Sequence, residues 1–278
     1  MQVLTVNYSS ATAKKQFCES LKETGFAVLE EHPISTQLIE DVYQQWQQFF
    51  FANEKLNYLY QKPAQDGYFP FKSENAKNSK TSDLKEFFHF YPWGKKPPAL
   101  QAATMQLYRE LTQLAAQLLQ WIEDYLPTAV SQSLSMPLRD MVDLEQNTLL
   151  RILHYPPLQN NSDLEAVRAA PHEDINLITL LPSATAPGLE VLDQHKQWHA
   201  ITCNPNNIVV NVGDMLQMCT QQYYKSTTHR VVNPSSSKDN TSRFSMPLFL
   251  HARKDVRLSD EYTVIEYLHE RLRQIGIY

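Results

Sequence analysis

The sequence predicts an antiparallel double sheet of the jelly-roll type with helices packed around it, a mainly β fold, and three observations predict it. From about Asn147 the chain breaks into short runs rich in β-branched and apolar residues: Thr148 to His154, Ile175 to Leu181, Leu189 to Leu192, Trp198 to Ile201, Ile208 to Val212, His229 to Val232 and Arg243 to His251. Turn formers separate these runs, among them Pro156-Pro157, Pro182-Ser183, Asp193-Gln194-His195-Lys196, Asn204-Pro205-Asn206-Asn207 and Gly213-Asp214. The first half has a different texture, helical around a few strands.

In chain order, a first helix ends with Glu19 to Thr24 at Gly25, and Phe26-Ala27-Val28-Leu29 follows as a short buried strand. A second helix starts near Ser35, an N-cap, with Leu38, Val42, Trp46, Phe49 and Phe50 at helical spacing. The polar stretch from Ser73 to Ser82 reads as a surface loop near Asp66-Gly67-Tyr68. After Pro97-Pro98 the segment from Ala99 to Leu126 is the longest helical candidate. Leu107, Leu111, Leu114, Leu118, Trp121 and Tyr125 recur there at three- and four-residue steps and face a core. A last helix runs from about Asp260 to Ile275, and Ser235-Ser236-Ser237 is a loop. The 278 residues suit a single domain, 1–278, made of a helix-rich N-terminal elaboration, 1–146, and a jelly-roll core, 147–278.

Composition narrows the function classes. With 42% hydrophobic and 20% charged residues the chain is an ordinary globular protein, and a formal charge of -5 argues against a nucleic-acid or anionic-membrane surface. No segment approaches the ~18 apolar residues of a membrane span, and Met1 to Tyr8 lacks a signal-peptide pattern, so a cytoplasmic location is expected. Cys18, Cys203 and Cys219 are scattered and odd in number, which suggests neither a disulfide framework nor a thiolate metal site.

Chemistry concentrates at three positions. In extended backbone side chains alternate, so within Pro171-His172-Glu173-Asp174 the side chains of His172 and Asp174 share a face that Glu173 does not. His229 opens another β-like run, and two imidazoles with one carboxylate are the ligand set of a mononuclear non-haem iron(II) site with positions left open. Arg243 and Ser245 lie one alternation apart in the next run, where a guanidinium fork and a hydroxyl can grip a carboxylate. Tyr155 can add a phenol to the same anion. His32, His195, His199, His251 and His269 read as surface or capping residues, whereas His89 and His154 lie in aromatic segments that can face the pocket.

At these residues the chain resembles the iron(II)/2-oxoglutarate-dependent dioxygenases of the isopenicillin N synthase-like superfamily. Gly25 to His32 is similar to the family's N-terminal strand, Asp83 to Phe90 to its Lys-Glu-aromatic segment, and Arg151 to Pro157 to its Arg-x-x-x-Tyr-Pro-Pro stretch. Asn211 to Leu216, followed by Lys225 to Pro234, is very family-specific, and together these segments span nearly the whole chain. The resemblance implies a double-stranded β-helix, a distorted jelly roll, with His172, Asp174 and His229 as the iron triad. It implies that Arg243 and Ser245 hold the distal carboxylate of 2-oxoglutarate, with Tyr155 assisting, that dioxygen and a small molecule are the other substrates, and that ascorbate can serve as reductant.

Two departures keep alternatives open. Where many plant members carry Asn this chain has Leu153, followed by His154, so the co-substrate neighbourhood differs. The Arg-x-Ser pair also occurs in relatives that do not use 2-oxoglutarate, so a 2-oxoglutarate-independent iron oxidase of the isopenicillin N synthase type stands as a rival. A non-catalytic metal-binding protein on the same fold is a third reading. The substrate, and the choice among hydroxylation, desaturation and cyclisation, stay open; Phe69, Phe71 and the loop after them are candidates for the pocket mouth.

Overall fold

A computed structural model describes residues 1–61, 64–74, 82–158, 167–202 and 204–274. The N-terminal half contributes β1 (Thr5–Asn7), α1 (Ala13–Thr24), β2 (Phe26–Glu30), α2 (Thr36–Phe51), β3 (Gly67–Phe69), β4 (Glu86–Phe90), α3 (Pro98–Asp124) and α4 (Thr128–Ser133). The remainder supplies β5 (Leu149–Tyr155), β6 (Ala169–His172), β7 (Ile178–Pro182), β8 (Leu189–Leu192), β9 (Trp198–Ala200), β10 (Ile208–Val212), α5 (Asp214–Cys219), β11 (His229–Val231), β12 (Arg243–Ser245), β13 (Leu248–Leu250) and α6 (Val264–Gln274).

The strands form two sheets. The larger, nine-stranded among the described residues, runs β1-β2-β10-β7-β13-β5-β4-β3, with β12 also paired to β5. The smaller runs β6-β11-β8-β9. Side-chain alternation sorts the two faces of the large sheet. Ala27, Leu29, Leu150, Ile152, Ile178, Leu180, Ile208, Val210 and Val212 face a core shared with the helices. Phe26, Val28 and Val209 face the small sheet, where they meet Leu189, Val191 and Ile201. The helices close the outer face: α3 buries Leu107, Leu111, Leu114, Leu118 and Trp121, and Trp46 of α2 donates its indole N–H to Thr104 (3.0 Å). Each such buried Leu contributes about 1.5–3 kcal/mol of transfer free energy.

Local signals explain most element ends. Ser35 caps α2 by accepting from the Leu38 N–H, and Gly25 ends α1 in the left-handed region with φ 73. The expected run from Ile175 becomes a strand only at Ile178, because backbone groups of 174, 176 and 177 bond instead with the N–H groups of Asp214, Met215 and Gly213. The run from Arg243 to His251 splits into β12 and β13 at Pro247, whose carbonyl takes the Arg151 N–H (3.0 Å). The last helix starts at Val264 rather than Asp260; Thr263 and Glu266 bond reciprocally at its start, and its expected end at Ile275 lies outside the described residues. Tyr125, expected to face the core, is 41% exposed just beyond α3.

Cys18 and Cys219 are free and buried, their thiols pushed up to about 12 by burial; Cys203 lies outside the described residues. Among the described residues no helix is long and apolar enough to cross a membrane.

Candidate active site

Between the sheets lies a cavity lined by β2, β5, β7 and β10 on one side and by β6, β8 and β11 on the other. His172 ends β6 and pairs directly with His229, the first residue of β11, which sets their imidazoles 4.4 Å apart between ring centroids. Asp174 comes not from the strand itself but from the irregular chain just after it. Its Oδ1 lies 3.9 Å from His172 Nε2 and 3.8 Å from His229 Nε2. One ligand atom from each of the three lies within 4.8 Å of the others. Glu173 points elsewhere, accepting from Thr228 (2.8 Å), as strand alternation predicts.

Every other polar atom of this trio is already engaged. The Nδ1–H of His172 donates to the Ala170 carbonyl (2.8 Å) and that of His229 to the Thr227 carbonyl (3.1 Å), which orients both rings and leaves each Nε2 as the atom available to a ligand. Asp174 Oδ2 accepts from Thr179 (2.6 Å) and Asn211 (2.8 Å), leaving Oδ1 for the cavity. Desolvation and the neighbouring His229 push the His172 imidazole down to about 4. Burial alone would raise the Asp174 carboxyl, but both histidines and the Asn211 and Thr179 hydrogen bonds hold it below its ordinary value. Two imidazoles and one carboxylate, each aimed through its outer partner, fit a divalent transition metal.

The carboxylate-gripping residues gather at one end of the same cavity. Arg243 of β12 pairs across to Tyr155 of β5, and Ser245 to Leu153. The Arg243 guanidinium carbon lies 5.1 Å from the Tyr155 ring centroid and its Nε donates to the Ala186 carbonyl (3.0 Å), but its buried Nη1 has no partner among the described residues. A buried donor left over on a cation is what an incoming carboxylate would satisfy. Behind it sits a second buried arginine, Arg168, which donates to the Thr241 carbonyl (2.8 Å). Burial and the adjacent Arg243 charge press the Arg168 guanidinium down to about 10.

Other expected residues are not at the cavity wall. His154 faces the helix side of β5, bonding Glu86 (2.7 Å) and stacking on Phe244. His89 reaches the site only through Arg151, whose Nε donates to His89 Nε2 (2.9 Å). His195 and His199 sit at the β8–β9 hairpin around Asp193. Phe69 is buried against Tyr60 and Phe87, Phe71 is 42% exposed, and neither lines the cavity; residues 75–81 of the expected loop lie outside the described residues. Sequence reasoning passed over Thr179, Asn211, Lys85 and Arg151 as cavity residues. A signal existed for Asn211, the one amide in the apolar run Ile208-Val209-Val210-Asn211-Val212.

The chain matches two family descriptions: the 2OG-Fe(II) oxygenase superfamily over residues 146–252, and the N-terminal region of the non-haem dioxygenases in morphine synthesis over 4–110. It is similar in structure to a candidate oxygenase from Shewanella oneidensis, with TM-score 0.91 and 44% identity over 100% of both chains. It is similar also to a candidate 2OG-Fe(II) oxygenase family protein from Caulobacter crescentus, with TM-score 0.80 and 31% identity over 99% of both chains. Among curated proteins, the 2-oxoglutarate-dependent dioxygenase htyE of Aspergillus rugulosus is 24% identical across 92% of this chain and 89% of its own.

Proposed function

The chain belongs to the 2OG-Fe(II) oxygenase superfamily, and from that premise we propose that His172, Asp174 and His229 hold its iron(II), while Arg243, Ser245 and Tyr155 receive the distal carboxylate of 2-oxoglutarate. The enzyme is an iron(II)- and 2-oxoglutarate-dependent dioxygenase acting on a small molecule with dioxygen. When bound, iron and 2-oxoglutarate supply the oxidant: the co-substrate loses carbon dioxide to become succinate, one oxygen atom entering succinate and the other serving oxidation of the substrate.

The chain's own residues do the positioning. Thr179 and Asn211 hold Asp174 with one oxygen inward, and the carbonyls of Ala170 and Thr227 keep both imidazoles in the ligating orientation. Arg243 gives the co-substrate a charged anchor at one end, so its reactive end is presented to the triad in a fixed orientation. Phe26, Leu153, Leu181, Leu189 and Val231 form an apolar wall that excludes water around the reacting carbon. We read the whole of 1–278 as one oxygenase domain working in the cytoplasm, without nucleic acid or membrane as partner.

The observation that carries this reading is the pairing, in one cavity, of three inward donor atoms with a buried guanidinium whose Nη1 is unsatisfied. The test is conversion of 2-oxoglutarate to succinate under air with iron(II), using ascorbate to keep the metal reduced. Succinate is expected from the wild type and not from His172→Ala or Asp174→Ala. Iron-dependent oxygen uptake without succinate would instead place the enzyme with the 2-oxoglutarate-independent oxidases, and iron binding without oxygen uptake would make it a non-catalytic binder.

A further inference from the structure

A second charged cluster, distinct from Arg243 and Ser245, lines the same cavity. Arg151 and Tyr155 both face the cavity from β5, and four residues of extended chain separate them by about 13 Å. The guanidinium of Arg151 is clamped: its carbon lies 4.7 Å from the Phe87 ring centroid and 5.6 Å from that of Phe249, and its Nε is tied to His89. Lys85, 7% exposed, also lines the cavity and is paired with Asp83 (2.8 Å), which itself accepts from the Ala170 N–H (3.2 Å). Both cations then share one further anion. The Glu74 carboxylate lies 2.8 Å from Lys85 Nζ and 3.3 and 3.4 Å from the two terminal nitrogens of Arg151.

The two sides of this contact are unequal. Arg151 is held by its strand and by two rings, and Lys85 by a second carboxylate. Glu74 lies on chain outside any strand, its side chain is 24% exposed against 8% for Lys85, and among the described residues its carboxylate contacts only these two cations, with Arg151 at stretched distances. Lys85, Arg151, Asp83 and Glu74 together sum to zero charge, so removing Glu74 leaves one positive charge uncompensated. A site with that balance takes one monoanion. Much of the remaining cavity wall is apolar, with Leu153, Pro247 and Phe249 on the large sheet and Leu189 and Val231 on the small one.

We propose that Arg151 and Lys85 form the binding site for a carboxylate carried by the oxidised substrate, a small monocarboxylic acid with an apolar body, and that Glu74 occupies this site until such an acid displaces it. This rests on the reading of the triad as the iron site and of Arg243 as the co-substrate anchor. The acid's carboxylate replaces Glu74 on the two cations, and its hydrocarbon portion lies along the apolar wall toward His172, Asp174 and His229.

The test uses the full chain loaded with iron(II) and saturated with 2-oxoglutarate under nitrogen, so that the Arg243 end is filled. Straight-chain and phenyl-substituted monocarboxylic acids, each beside its own primary amide, are titrated calorimetrically. At least one acid is expected to bind about tenfold more tightly than its amide. Glu74→Gln is expected to tighten acid binding by about a further fivefold, since it removes the competing anion, and leave the amide unchanged. Arg151→Met is expected to erase the preference; should it not fold, as judged by circular dichroism, Lys85→Met carries the same expectation. Equal binding of every acid and amide, a preference that survives loss of the cation, or an acid affinity indifferent to Glu74→Gln would overturn the proposal. Wild-type enzyme that makes succinate yet shows no acid preference would sink this inference alone, whereas wild type that makes none sinks the reading beneath it.

Discussion

At the scale of single residues, the working feature of the site is that each donor atom is aimed by what its other end touches. Thr179→Val or Asn211→Ala frees Asp174 Oδ2 without touching a ligand, and either is expected to weaken iron affinity about 10- to 100-fold, read by chelator competition. Arg243→Met is expected to raise the KM for 2-oxoglutarate by about 10- to 100-fold, the cost of ~1.5–3 kcal/mol in charge-assisted hydrogen bonds, while iron content stays at the wild-type level. His89 gives a pH signature away from the metal. Burial and Arg151 push its imidazole down to about 3 from an ordinary 6.5, so between those values the unfolded chain takes up a proton that the folded chain refuses. Stability from this residue therefore falls as pH drops from about 6.5 toward 3. In His89→Gln, urea unfolding at pH 5 should take up close to one proton fewer than in the wild type. His172, Asp174 and His229 stood out in the sequence as candidates because strong ligand types at or just beyond strand ends carry their own chemistry. Thr179 and Lys85 were not, because a hydroxyl or an amine acquires its meaning from a partner far away in the chain.

At the scale of elements, junctions matter more than strand interiors. Gly25 ends α1 with positive φ, and a Cβ there would stand 2.2 Å from Thr227 Oγ1 and 2.7 Å from the Lys225 carbonyl. The same Thr227 holds the His229 imidazole. Gly25→Ala is thus expected to lower stability by about 2–4 kcal/mol, combining left-handed backbone strain with overpacking, and to weaken iron binding as well; thermal unfolding and metal content check the two parts. Gly213 plays a similar role beside Asn176, whose carbonyl would lie 2.2 Å from an added Cβ. The strands that alternate or carry β-branched runs were readable in advance. Those that escaped were β1 and β3, with three residues each, and β4, whose Glu86-Phe87-Phe88-His89-Phe90 is buried on both faces and shows no alternation; of β6 only the end from Pro171 was read as extended chain.

At the scale of the molecule, the helix-rich half is woven into the large sheet rather than set beside it. β2 pairs with β10, and β4 pairs with β5 along five residues. A fragment of 147–278 would expose two long unpaired edges and the apolar face that α1, α2 and α3 cover, so it is expected to aggregate rather than show native-like circular dichroism. That weave was outside the reach of sequence reading, because pairing of Phe26 with Asn211 is a property of the closed sheet and not of either segment. It also fixes β5 on both edges, hydrogen-bonded to β4 on one and to β12 and β13 on the other. Such a strand behaves as a ruler. The span between the residues at its two ends cannot be lengthened by a small step, because one inserted residue would turn every later side chain to the opposite face. Relatives that handle longer or shorter molecules would have to change which rungs bear charge, so redesign of this pocket for new cargo should trade side chains at 151, 153 and 249 and leave chain length alone.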